Sequence, residues 1–269
     1  LLEWDGTNKE IFKTDNAGVS FYPIFDNQGS YSIGCVTIDP NNSNVIWVGT
    51  GENNNQRSVG YGDGVYKSED GGKTWKNMGL EKSERIGRIS VDPTNSDIVY
   101  VAAYGPLWNA GGERGIYKTT DGGKTWKQAL TISENTGCND VLVDTKHPNI
   151  VYAAAHQRRR HEYTYISGGP ESAIYKSTDY GVTWNKLTNG LPSGDVGRIG
   201  LAISPVNTDY VYAIIEAAEG KGFYKSTNRG ASFEKQNDWS TAGNYYQEIV
   251  ADPKDQNKVY SLDTWAQVT

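Results

Sequence analysis

Apolar residues in this chain come in short runs that return at a near-constant interval. "VTIDPNNSNVIWVGT", "ISVDPTNSDIVYVAA", "VLVDTKHPNIVYAAA", "LAISPVNTDYVYAII" and "IVADPKDQNKVYSLD" each join one strand to a second through a polar turn. In these turns Pro presets φ, while Asp and Asn bond the local backbone. Alternating with them are shorter strands, "IFKT", "GVYKS", "GIYKT", "AIYKS" and "GFYKS", each running into an eight-residue box. The boxes are "TDNAGVSF" (14–21), "SEDGGKTW" (68–75), "TTDGGKTW" (119–126), "STDYGVTW" (177–184) and "STNRGASF" (226–233). Their key residues, Asn16, Asp70, Asp121, Asp179 and Asn228, are separated by 54, 51, 58 and 49 residues. Each unit of about 50 residues therefore reads as four short strands, at 86–91, 97–103, 115–119 and 125–130 in the third unit.

Segments such as "DIVYVAA" are apolar on both sides, so each sheet is expected to be covered on both faces. Repeated, doubly covered, four-stranded antiparallel units predict an all-β fold, a β-propeller with about five blades in this chain. A β-solenoid is the competing architecture, with shorter repeats. Residues 1–269 are expected to form one propeller domain or a fragment of one. Its units run approximately 1–30, 31–82, 83–133, 134–190, 191–240 and 241–269. The first unit supplies only third and fourth strands. The last supplies first and second strands (246–251, 257–262), with "WAQVT" where a third belongs. This predicts a piece of a larger propeller, continuous with further blades or domains. In the competing arrangement, residues 246–262 complete the blade begun at 11–22.

The pattern Ser/Thr-x-Asp-x-Gly-x-Thr-Trp after "YKS" resembles the Asp-box, or bacterial neuraminidase repeat. Together with "VDPxNxDxVYVA", it resembles the sortilin-like propellers of large secreted bacterial proteins. Related propellers occur in xyloglucan-degrading glycosidases and in a photosystem II assembly factor. The resemblance covers almost the whole chain and implies a secreted, cell-surface or periplasmic protein. It is specific for fold and poor for function, because Asp-boxes occur in enzymes and in binding proteins alike.

The boxes themselves read as scaffolding. A carboxylate such as Asp70 can accept hydrogen bonds from turn amides, and an Asn oxygen can do the same, which accounts for Asn16 and Asn228. Trp75, Trp126 and Trp184 are expected to bury their rings under the turn. An active site would tolerate neither the substitution nor five copies.

Composition narrows the partners. A net charge of −6 leaves no broad basic face for nucleic acid. No apolar stretch approaches the roughly 18 residues of a membrane span. Cys35 and Cys138 fall two units apart and are expected as free thiols. Nucleophile motifs and phosphate-binding loops are absent, so no cofactor is implied. His156 and His161 lack a third ligand, so no metal is assigned.

Meander geometry places the boxes and "DPxN" turns on one rim and the long loops on the other, where binding concentrates. These loops are "GTGENNNQRSVGYGDG" (49–64), "YGPLWNAGGERG" (104–115), "HQRRRHEYTYISGGPES" (156–172) and "EAAEGKG" (216–222). Candidate ligand-binding residues are Glu52, Asn54, Arg57, Trp108, Arg158, Arg159, His161 and Tyr163. Arg offers forked donors and Tyr a stacking face for anionic or sugar groups. Arg158 and Arg159 are expected to face solvent. Arg88, Asp140, Arg198 and Glu248 are expected at or near the central channel.

The expected function is non-catalytic binding of a protein or glycan through this open rim. The alternative is a glycoside hydrolase, or part of one, using two carboxylates from Glu52, Asp63, Glu113, Glu162, Glu171 and Glu216. Sequence alone names no catalytic pair. A sialidase is disfavoured because no Arg-Ile-Pro precedes the first box.

Overall fold

The computed structural model describes residues 11–263 and 265–269. The first ten residues of the opening unit, and Thr264, lie outside the described residues. A hairpin of β1 (Phe12–Lys13) and β2 (Tyr22–Pro23) comes first. Blade 1 is β3 (Ile33–Ile38), β4 (Ile46–Thr50), β5 (Val65–Ser68) and β6 (Lys76–Asn77). Blade 2 is β7 (Ile86–Asp92), β8 (Asn95–Ala103), β9 (Gly115–Thr119) and β10 (Lys127–Leu130). Blade 3 holds β11 (Thr136–Val143), β12 (Val151–Arg160), β13 (Tyr165–Ser167), β14 (Ala173–Ser177) and β15 (Asn185–Lys186). Blade 4 is β16 (Val196–Ile203), β17 (Val211–Ala217), β18 (Gly222–Ser226) and β19 (Glu234–Asn237). Blade 5 is β20 (Glu248–Ala251), β21 (Val259–Leu262) and β22 (Gln267–Val268).

Every pairing is antiparallel between neighbours in the meander, and β13 pairs only with the far end of β12. The result is a five-bladed β-propeller. Among the described residues, β1–β2 and β20–β22 share no ladder, so the strand-exchanged blade is not formed.

The second strand of each blade explains the doubly apolar runs. In β8, Val99 and Val101 pack toward blade 1, while Tyr100 and Ala102 pack toward blade 3. The same split recurs in β12 and β17. Period-two alternation thus feeds two interblade cores from one strand.

The boxes join these blades. In all five, the residue after the key Asp or Asn is left-handed: Ala17 (φ 56), Gly71 (73), Gly122 (69), Tyr180 (60) and Arg229 (56). Such a φ is unfavourable for Ala, Tyr and Arg, and at Tyr180 and Arg229 hydrogen bonds on both sides of the residue offset it. The Tyr180 amide donates to Asn149 O in its own blade at 2.9 Å. Its carbonyl accepts from Lys118 Nζ (2.8 Å) and the Tyr100 hydroxyl (2.9 Å) of the preceding blade. Arg229 repeats this with Asp209 O (2.8 Å), Lys176 Nζ (2.6 Å) and Tyr152 (2.8 Å). Lys13 and Lys67 reach Gly71 O and Gly122 O in the same way. The Lys of "YKS" is therefore an interblade strut.

The next glycine is required by close packing as well. A Cβ on Gly123 would lie 2.7 Å from the Trp47 ring of the preceding blade. Box tryptophans differ from expectation, being half-buried and not wholly beneath their own turns. Trp75 and Trp126 donate across the blade boundary to Ile24 O (2.6 Å) and Met78 O (2.8 Å). Trp184 instead donates to Gly181 O of its own turn at 3.2 Å.

Within the turn, Asp70 accepts from the Ser68 hydroxyl (2.8 Å), the Thr74 amide (2.9 Å) and the Thr74 hydroxyl (2.6 Å). Asp121 and Asp179 do likewise. In the Asn boxes the last hydroxyl reverses its role. Asn16 Nδ2 donates to Ser20 Oγ at 2.8 Å, and Asn228 Nδ2 donates to Ser232 Oγ at 2.9 Å.

These hydrogen bonds, the threonine hydroxyl first, hold Asp70 and Asp179 down at about 2 and lower Asp121 as well. Folded-state values below the ordinary one give stability that is fully present above about pH 4 and is lost as pH falls toward 2. Asp121→Asn should therefore keep the turn while Asp121→Ala lowers the melting temperature. Changing Asp70, Asp121 and Asp179 together to Asn should flatten the acid limb of stability. Thermal melts across that pH range check both. Equal melting of the Asn and Ala variants would count against the hydrogen-bond account.

Candidate functional site

Opposite the boxes, the middle of the β4–β5 connection leaves blade 1 and spans the axial opening. Asn53 Nδ2 donates to Gly34 O (2.7 Å) and Gly87 O (3.0 Å), at the first strands of blades 1 and 2. Asn53 O accepts from Arg198 Nη1 of blade 4 at 3.1 Å. The Asn55 amide donates to Asn244 O, on the segment entering blade 5, at 2.9 Å. From blade 3, Arg160 Nε donates to Asn55 O (2.6 Å), and Arg158 Nη1 donates to Asn55 Oδ1. Residues 53–55 thus touch four blades and the segment leading into the fifth, spanning this end of the channel.

This bridge corrects the expectation for the arginine run. Residues 156–160 continue strand β12, and β13 returns beside it through a turn closed by His161 N donating to Thr164 O at 2.9 Å. Strand alternation turns His156, Arg158 and Arg160 inward and leaves Arg159 half-buried. Arg158 is fully buried, its guanidinium 3.2 Å from the Tyr104 ring centroid, and does not face solvent. Arg159 donates to Asn135 Oδ1. His156 is buried against the Tyr104 hydroxyl, and burial with the neighbouring Arg158 and Arg198 holds its pKa well below the usual range.

The other candidates remain at or near the surface. Arg57 is exposed, and Trp108 and His161 are half-buried. Tyr163 is 88% exposed, with its ring stacked on His161 at 5.9 Å. Trp108 and His161 sit on adjoining turns, because Arg160 N donates to Leu107 O at 2.9 Å. Asn54 is half-buried; its side chain caps Gln56 N (2.9 Å) and donates to Glu52 Oε1 (3.3 Å). The sequence reading passed over Tyr31, Tyr61, Trp239, Tyr245 and Tyr246, all exposed on this rim. Their signal was aromatic residues inside Gly-, Asn- and Ser-rich connections, where no core requires them.

Most candidate carboxylates are already engaged. Glu52 accepts from Gly60 N (2.5 Å), Glu113 from Lys82 N (2.9 Å) and Glu216 from Arg198 N (3.1 Å). Glu171 accepts from Ser133 (2.6 Å) and Thr136, and Asp63 from Tyr66 (2.6 Å). Glu162 lies exposed at the β12–β13 turn.

Below the bridge, an axial cavity of about 580 Å³ runs past Cys35, Arg88, Ser90, Leu142 and Glu248 to Pro40. Arg88 Nε lies 3.8 Å from Asp140 Oδ1. Burial pushes the Asp140 carboxyl up, with Arg88 opposing. Arg198 belongs to the bridge and not to this group. Cys35 and Cys138 are unpaired.

Comparison with known proteins agrees with this geometry. The Sortilin-Vps10 family, described as "Sortilin, neurotensin receptor 3,", matches residues 63–169. A xyloglucanase of Hypocrea jecorina is 27% identical over 197 residues, 68% of this chain and 21% of that protein. The chain thus spans about a fifth of the length of the curated relatives it matches. The structure of the GH74 xyloglucanase from Xanthomonas campestris superposes with a TM-score of 0.71 at 15% identity, covering 100% of this chain and 41% of that one. YCF48 from Cyanidioschyzon merolae gives 0.51 at 15% identity, over 88% of this chain and 65% of that one. The chain is a β-propeller similar in fold to these structures.

The buried and half-buried arginines should separate in mutagenesis. Arg158→Ala removes a packed side chain and strands Asn55 Oδ1, costing roughly 2–4 kcal/mol. Arg159→Ala loses one peripheral hydrogen bond, about 1 kcal/mol. Urea unfolding of both variants measures the difference. Equal values would place Arg158 at the surface after all.

Proposed function

We propose that this chain is a non-catalytic propeller that binds a glycan or protein partner through the rim opposite the boxes, with a glycan the better fit. The observation that carries this reading is the set of exposed aromatics on that rim. Tyr31 (73%), Tyr61 (56%), Tyr163 (88%) and Tyr245 (48%) stand on loops braced from below by buried side chains. A flat phenol ring stacks on sugar C–H faces while its hydroxyl takes hydrogen bonds, at little entropic cost. Arg57, Asn54 and Glu52 add polar groups alongside. The box rim has its hydroxyls and carboxylates committed to hairpins and offers fewer free groups.

Similarity to xyloglucanases supports a carbohydrate-related role and keeps a second reading alive, a contribution to a glycoside hydrolase. The open-rim carboxylates argue for binding over catalysis, because most accept hydrogen bonds from backbone amides or hydroxyls and so serve the loops. The location proposed is extracytoplasmic, on the resemblance of the boxes and "DPxN" turns to the sortilin-like propellers of large secreted bacterial proteins.

Titration calorimetry against a glycan panel that includes xyloglucan oligosaccharides tests the reading, with a reducing-sugar assay run in parallel. Binding without hydrolysis is expected. Tyr61→Ala and Tyr163→Ala should each weaken it about tenfold. Release of reducing ends that depends on open-rim carboxylates would establish the hydrolase. Undiminished binding by both tyrosine variants would remove the aromatic rim from the account.

A further inference from the structure

Beneath the bridge at residues 53–55, the described residues bury more positive charge than they neutralise. Arg85, Arg114, Arg158, Arg160 and Arg198 are each at most 8% exposed. Among the described residues, the one carboxylate in ion-pair contact with any of them is Glu84, 3.0 Å from Arg85. Arg114 donates to the carbonyls of Tyr104 (3.1 Å), Asn109 (2.7 Å) and Gly111 (2.7 Å). Arg158 and Arg160 donate to oxygens of Asn54, Asn55 and Gly105. Carbonyl and amide dipoles satisfy N–H groups without cancelling a full charge.

Tyr104 gathers two of these side chains, and the backbone of Arg85, around itself. Its amide donates to Arg85 O at 2.9 Å, its carbonyl accepts from Arg114, and its ring lies against the Arg158 guanidinium. Burial, with the charges of Arg85 and Arg114 nearby, holds Arg158 down to about 9; burial, with the charges of Arg159 and Arg85, holds Arg114 to about 10. Within this cluster Arg85 Nε and Nη2, Arg158 Nε and Asn55 Nδ2 are enclosed and have no acceptor among the described residues. All four are donors. A buried donor left unsatisfied is costly, and more so when it belongs to a cation.

We infer that Arg85, Arg158 and Asn55 form a binding site for a small monovalent anion, a halide or the carboxylate of a small acid. Water would accept these hydrogen bonds but leave the charge excess in place. An anion does both. It also ties the bridge to blades 2 and 3, because Asn55 comes from the β4–β5 connection, Arg85 from the start of blade 2 and Arg158 from blade 3. The site lies inside the rim and goes beyond the glycan reading, which concerns exposed side chains.

The test uses the whole chain with no glycan present. Melting temperature is measured in sodium chloride, bromide and acetate against sodium gluconate at matched ionic strength, gluconate being too large to enter. A saturable rise of about 5 °C is expected in at least one small anion. A rise in the halides identifies a halide site, and a rise in acetate alone a carboxylate site; each supports the proposal. Asn55→Asp supplies a built-in carboxylate of the same shape. It should raise the melting temperature in gluconate and abolish the anion dependence. Crystals grown in bromide, or in acetate where that anion alone acts, provide a check independent of any variant. Bromide is read by its anomalous signal and acetate by its density, and the anion should touch Arg85 and Arg158. Identical melting in gluconate and all three anions, or an anion bound only elsewhere, would overturn the proposal.

Discussion

The residue after the key Asp or Asn of each box is the joint on which the propeller rests. In the four boxes from Asp70 onward, its left-handed backbone turns the amide toward its own blade's first turn and the carbonyl toward the blade before. At Tyr180 and Arg229 that carbonyl receives a lysine and a tyrosine from the neighbour. The Asp or Asn beside it holds the hairpin in the only shape that presents both groups. One turn therefore organises a blade and spaces it from the last. Lys of "YKS", the second-strand aromatic, the box glycine and the "DPxN" turn are parts of one repeated contact.

Commitment of the box rim to this contact leaves fewer free polar groups there than on the opposite rim, the one proposed for ligand binding. There the loops are not a solvated fringe. The β4–β5 connection crosses the axis, and arginines from blades 3 and 4 hold it down. Cations serve as internal struts while tyrosines face outward. A rim built this way presents exposed aromatic surface over a polar floor, the feature on which the proposed glycan binding rests.

The misplaced arginines show where reading from sequence stopped. "HQRRRHEY" suggested a charged loop, because three consecutive arginines conventionally mark a solvated surface. The structure instead extends β12 through them, and period two then governs. Alternation of His156, Arg158 and Arg160 against Gln157 and Arg159 was present in the sequence. Nothing local revealed that residues 53–55, about a hundred positions earlier, would supply the oxygens that make burial affordable. The channel group was partly legible: Arg88, Asp140 and Glu248 share a register position on first strands, whereas Arg198 lies two residues off it and joins the bridge.

Sequence by itself determined the all-β class, the repeat length, the order of strands in a blade and the structural use of Asp70, Asp121 and Asp179. Those properties follow from local rules: alternation, turn chemistry, and side chains that bond backbone within a few residues. Tertiary structure alone decided that Lys13, Lys67, Lys118 and Lys176 reach into the following blade. It also decided that Trp75 and Trp126 cross blade boundaries while Trp184 does not, and that Arg158 faces a buried asparagine and not water. These outcomes depend on which distant backbone oxygen arrives opposite a side chain. That is a property of how the blades pack on one another, and no single repeat contains it.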